Sequence, residues 1–120
     1  MKRTPEGKVK LLVKEIIGAY KPHVFSHWPV LNGMGTPTLD CTGCADGDYF
    51  AVETKIENVT LTLRQTRTRE EMREAGGTVF VIQGEDSLQL GEFEAWLHHR
   101  VMRKLARLQR SNIRVSNEQI

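Results

Sequence analysis

Two carboxylates and an amine, Asp40, Glu53 and Lys55, stand on either side of an Asp46-Gly47 pair. Asp-Gly between strand-like runs is a strong signal for a two-residue hairpin, because a type I′ turn needs positive φ at both central residues. With Asp46 and Gly47 as the turn, Ala45 faces Asp48, and counting up the ladder sets Asp40 across from Glu53. Opposed residues project from one face with Cβ atoms roughly 4.5–5.5 Å apart. The strand period of two adds Lys55 to that face. Like charges directly opposed are destabilising, and a divalent cation held between them offsets the repulsion. Mg²⁺ is commonly held by one or two carboxylates together with substrate phosphates. An amine beside it suits orientation of an attacking water or stabilisation of charge developing on a phosphorus centre. The opposite face, read as Leu39, Cys41, Phe50 and Val52, is expected to be core. The plain alternative is a solvated sheet face on which Lys55 neutralises Glu53.

The elements that must position these groups are legible from periodicity. Residues 5–20 read as a helix with Val9, Leu12, Val13, Ile16 and Ile17 at helical spacing, Thr4 as N-cap and Pro5 at N1. Residues 22–37 read as a long loop with a short strand over 24–28. Residues 61–76 suit a polar helix anchored by Leu61, Leu63, Met72 and Ala75 and stopped by Gly76-Gly77. Thr78 to Ile82 is a short apolar strand. Residues 91–110 form a basic helix with Phe93, Trp96, Leu97, Val101, Leu105 and Leu108 as its apolar stripe, and 111–120 are expected to fray. The whole is a single α/β domain over residues 1–120, a small mixed sheet flanked by helices.

The chain of 120 residues is 39% hydrophobic and 27% charged with net charge +2. That suits one globular core and leaves no room for an interdomain cleft. No apolar run is long enough to span a bilayer, and the basic N-terminus lacks an apolar signal region, so the chain reads as cytoplasmic with no membrane partner. Charge is uneven: residues 1–21 hold six Lys or Arg against two Glu, and Arg100, Arg103, Lys104, Arg107, Arg110 and Arg114 follow one another without an acid. Basic ends around an acidic middle suit a protein that binds a polyanion and handles a cation at its centre.

The stretch Gly35-Thr-Pro-Thr-Leu-Asp40-Cys-Thr-Gly-Cys-Ala-Asp-Gly-Asp-Tyr-Phe-Ala-Val-Glu53-Thr-Lys55, followed by Thr62-Leu-Arg-Gln65 and Ala75-Gly-Gly-Thr-Val-Phe-Val81, resembles the virus-type replication-repair nuclease (VRR-NUC) domain of the PD-(D/E)XK superfamily. Thr4-Pro-Glu-Gly-Lys-Val-Lys10 extends the resemblance over roughly residues 4–82. It implies a restriction-endonuclease-like core and metal-dependent hydrolysis of DNA phosphodiesters, with branched or junction DNA as substrate. By that likeness Asp40 and Glu53 bind Mg²⁺ or Mn²⁺, Lys55 is the catalytic lysine and Gln65 supports the site. Glu6 matches an acid that adds a ligand through water, with Glu15 as its rival, and the Thr54 backbone carbonyl is a further ligand. Pro often precedes the family aspartate directly, whereas Leu39 precedes Asp40 here and Pro37 lies three residues upstream. Bacterial or phage-infected cells are the setting that the family's stand-alone members imply.

On that reading Arg100, Arg103, Lys104 and Arg107 are candidates for phosphate contacts. A chain this small offers little surface for gripping DNA, so a homodimer is expected to supply two sites. A non-catalytic DNA-binding or assembly module on the same fold is the alternative. A Cys/His zinc regulator is a further one, though Cys41 and Cys44 fall on opposite strand faces and no second Cys pair exists. His98 and His99 diverge on their helix, while His23 and His27 sit in a loop from which they could reach substrate.

Overall fold

The computed structural model describes residues 4–30, 35 and 37–118. The part of the expected 22–37 loop at residues 31–34 and 36 lies outside the described residues, as do residues 119 and 120 of the expected tail. The elements run α1 (Pro5–Ala19), β1 (Val24–His27), β2 (Cys41–Ala45), β3 (Asp48–Lys55), α2 (Leu63–Glu74), β4 (Thr78–Gln83) and α3 (Leu88–Glu118). The four strands form one sheet in the order β1-β2-β3-β4.

The hairpin forms in the expected register, with Ala45 opposite Asp48 and Cys41 opposite Val52. Asp46 and Gly47 both take positive φ, 52° and 82°, as a type I′ turn requires. β1 pairs antiparallel with β2. β4 pairs parallel with β3, and a parallel pair needs a crossover, which α2 supplies. β3 is therefore central and buried along most of its length.

Helices α1 and α3 cover one face. Val9, Val13 and Ile17 of α1 and Phe93, Leu97 and Val101 of α3 close a core over Val24, Cys41, Ala45, Phe50, Val52 and Ile82. Their spacing of three and four residues is the stripe that a core-facing helix presents. Gly43 lies on this face, where an added Cβ would collide with the Phe25 carbonyl and the Phe50 ring. On the other face α2 lays Met72 over a smaller cluster of Leu39, Ala51 and Val79.

Several expectations are corrected. Leu39 belongs to the α2 face and not to the Cys41–Phe50–Val52 core, because the chain leaves strand geometry just before β2 and the alternation stops there. Leu63 is exposed, as is Ala75; the buried residue of α2 is Thr68, whose hydroxyl donates to the Arg64 carbonyl. The last helix is longer than 91–110 and runs from Leu88 to Glu118, through most of the segment expected to fray. Its stripe is buried only to Val101, while Leu105 and Leu108 are exposed. The radius of gyration is 17.0 Å, against about 14 Å for a compact chain of this length, because the second half of α3 extends beyond the sheet.

Candidate active site

Asp40 sits at the entry to β2, Glu53 and Lys55 near the end of β3, and Gln65 in the first turn of α2. The β3 pairings carry Glu53 into the centre of the sheet, where it is 2% exposed, and Asp40 is 7% exposed. The ladder holds the two together: the Asp40 backbone N–H donates to Glu53 Oε2 at 3.0 Å. The Asp40 carboxylate is held in turn by Thr54, whose backbone N–H (2.9 Å) and hydroxyl (2.7 Å) both donate to Oδ2. Asp40 Oδ1 faces Lys10 Nζ of α1 at 3.9 Å. Lys55 Nζ stands 3.8 Å from Glu53 Oε1.

Gln65 reaches Glu53 because of how α2 starts. Thr62 is the N-cap and Gln65 closes a capping box with it. The Thr62 hydroxyl accepts from the Gln65 N–H, and Gln65 Oε1 accepts from the Thr62 N–H at 3.0 Å. That leaves Gln65 Nε2 as the free end of the amide, and it donates to Glu53 Oε1 at 2.8 Å. One side chain thus satisfies the helix start and orients the carboxylate.

Burial pushes the Glu53 carboxyl up to about 7, and the Asp40 charge pushes in the same direction. The Asp40 N–H and Lys55 oppose this, and Glu6 adds a smaller like-charge effect. Glu6, in the first turn of α1, therefore lies within electrostatic reach of the site. Glu15 is exposed farther along the same helix. A carboxylate held this far above its ordinary range marks a site short of positive charge.

The donor set fits a hard divalent cation. It consists of carboxylate oxygens, and a cation between them would relieve the repulsion that raises Glu53. No group of three or more ligating His, Cys, Asp or Glu side chains occurs among the described residues. Protein side chains would thus fill only part of an ion's shell, the usual arrangement for Mg²⁺.

The structure brings together Asp40, Glu53, Lys55, Gln65 and, at longer range, Glu6. Lys10 and the Thr54 hydroxyl were missed by the sequence reading. Lys10 follows Glu6 by four residues and so shares its helix face, which is the signal that would have found it. The Thr54 N–H and hydroxyl serve Asp40, a role distinct from that of its carbonyl.

The basic residues of α3 are already engaged. Arg103 and Arg107 each reach Asp46 at 2.6 Å, and Arg100 reaches Asp48 at 2.9 Å. Hydrogen bonds from Arg107 and then Arg103 hold the Asp46 carboxyl down at about 2. Asp48 is lowered by Arg100 and Arg103. Two acids of the acidic middle seen in the sequence, Asp46 and Asp48, thus clamp the hairpin turn to α3. Lys104 Nζ lies 3.2 Å from His23 Nδ1. His98 meets the Tyr20 hydroxyl and His99 meets Arg100, so the two histidines do diverge. Burial drives the Cys41 thiol up to about 12, and Cys44 lies on the exposed face.

No family model matches the chain, and no curated protein matches it. Among solved structures it is similar to one described as a VRR_NUC domain, with a TM-score of 0.62 and 26% identity, covering 75% of this chain and 94% of that one. The chain has the α/β fold of that domain, as the resemblance in its motifs implied.

Proposed function

We propose that the chain is a metal-dependent DNA endonuclease that hydrolyses phosphodiester bonds, selective for branched or junction DNA and acting as a homodimer. The observation that carries this reading is the joining of Asp40 to Glu53 across the hairpin, with Gln65 and Lys55 both on Glu53 Oε1. The fold shared with a VRR_NUC domain supports it.

Asp40 and Glu53 would hold Mg²⁺ or Mn²⁺, with the Thr54 carbonyl and, through water, Glu6 as further donors. When bound, the ion supplies Lewis-acid activation and charge neutralisation at the scissile phosphate. Gln65 fixes one oxygen of Glu53 and the Asp40 N–H fixes the other, so that carboxylate does not have to reorganise on binding substrate. Thr54 does the same for Asp40. Lys55, ion-paired with Glu53 Oε1 at 3.8 Å, would orient a water or stabilise charge growing on phosphate oxygens. Arg100, Arg103 and Arg107 would meet the DNA backbone by exchanging their carboxylate partners for phosphates, and Lys104 by leaving His23.

Lys55→Ala tests the assignment. Nicking of branched DNA in Mg²⁺ or Mn²⁺ should fall at least a hundredfold, with DNA affinity unchanged within about twofold. A wild-type protein that binds DNA but cuts no form of it with either metal would instead be a non-catalytic module on the same fold.

A further inference from the structure

On the sheet face that carries Glu53, helix α2 shields Ala51 and Val79; among the described residues no helix lies over the β1–β2 half. There the register lines up Phe25, Cys44 and Tyr49 as one cross-strand row on β1, β2 and β3. Phe25 is 67% exposed and Tyr49 43%. Gly77, just before β4, lies against the Tyr49 ring, where an added Cβ would sit 2.8 Å from Tyr49 Cδ1. This row shares its face with Glu53, four residues along β3, roughly 13 Å away at strand rise.

Two exposed aromatics are poor neighbours for water, and scattered single ones need no explanation. These two stand in one cross-strand row on either side of Cys44 and are flanked by cations. Phe25 and Cys44 line a hollow of about 430 Å³ with Lys104 and Arg107, and Tyr49 lines another of about 700 Å³ with Arg100. Around the hairpin turn stand four cations, Arg100, Arg103, Lys104 and Arg107, against two carboxylates, Asp46 and Asp48, and Glu71 also lines the second hollow. The balance is positive. Aromatic faces beside a cationic rim are the recurring means of holding unpaired bases: rings stack on bases and cations track the backbone.

We infer that the Phe25–Tyr49 row is a stacking platform for an unpaired segment of the DNA substrate, leading along the sheet face to Asp40 and Glu53. The inference rests on the nuclease reading for its direction and adds a preference for substrates with single-stranded character. Charge complementarity and continuity with the candidate active site favour DNA as the occupant.

The test is equilibrium binding in EDTA, by fluorescence anisotropy, of a labelled oligothymidylate and of a blunt duplex of equal length. Phe25→Ala and Tyr49→Ala should each weaken single-strand binding about tenfold and leave duplex binding unchanged. Tyr49→Phe, which keeps a stacking ring, should bind like wild type. Both side chains are exposed, and unchanged melting temperatures would confirm that the fold is kept. Equal single-strand affinity in wild type and both alanine variants overturns the platform. So does self-association that Phe25→Ala abolishes, which would make this face a contact between copies. If the wild type cuts no DNA yet its single-strand binding still depends on Phe25 and Tyr49, the nuclease reading fails and the platform stands.

Discussion

Glu53 is the residue under most electrostatic tension in the candidate site. Its carboxyl titrates at about 7 in the folded chain, against 4.5 ordinarily, because burial and then the Asp40 charge disfavour ionisation. A carboxyl raised by folding binds its proton more tightly in the native state. Its penalty is therefore absent below the ordinary value, grows as pH rises from about 4.5 to about 7, and is full above that. In EDTA, the melting temperature should fall by several degrees between about pH 5 and about pH 8 from this group, and Glu53→Gln should flatten that dependence. Millimolar Mn²⁺ should raise the melting temperature of wild type more at the higher pH, where Glu53 is ionised. Equal Mn²⁺ shifts at the two pH values would contradict a cation at these carboxylates. Hairpin counting brought Asp40 beside Glu53 with Lys55 two residues on, and the resemblance added Gln65; the counting set both carboxylates on one face, whereas the Asp40 carboxylate turns to the Thr54 hydroxyl and Lys10 and Asp40 meets Glu53 through its backbone N–H. Lys10 and the Thr54 hydroxyl were not legible in the sequence, since a lysine on α1 meets Asp40 only after α1 has packed on the sheet.

At the level of elements, the start of α2 couples helix stability to the site. Thr62→Ala removes the cap acceptor for the Gln65 N–H and should cost about 1 kcal/mol of stability. Gln65 would lose the partner that holds its backbone, so cleavage should drop several-fold beyond what the stability loss explains. Urea titration together with rates measured well below the unfolding midpoint would separate the two effects; an unchanged rate would show that Gln65 keeps its place without the cap. The hairpin turn does comparable work on the opposite end of the sheet. Its Asp-Gly pair is read easily in sequence because the φ demand is local. Its pairing with Arg103 and Arg107 is not, because those partners lie more than fifty residues downstream. Asp46 is held low at about 2 by those arginines, so its contribution to folding is present above about pH 4 and is lost as pH falls toward 2.

For the whole molecule the outstanding feature is α3. Beyond Val101 it carries Met102, Leu105, Leu108, Ile113 and Val115 in exposed positions, on a helix that extends past the sheet. A second copy would cover part of that surface, which is the support for a homodimer. Leu105→Glu combined with Leu108→Glu should convert a dimer to monomer in light scattering while leaving the melting curve of the protomer within about 1 kcal/mol of wild type, as these side chains are outside the core. A wild-type protein that is monomeric at high concentration would remove the homodimer from the reading.

Periodicity and turn chemistry were enough to place α1, the hairpin, β4 and the first half of the α3 stripe, and with them the meeting of Asp40 and Glu53. Those features depend on neighbours in the chain: alternation along a strand, a stripe along a helix, positive φ at a turn. Packing settled the remainder. It put Leu39 under α2, left Leu63 in solvent, set Arg100, Arg103 and Arg107 on Asp46 and Asp48, and left Phe25 and Tyr49 exposed in one cross-strand row. Each of these joins residues far apart in sequence, and a side chain's hydropathy does not say which of two sheet faces a distant helix will cover.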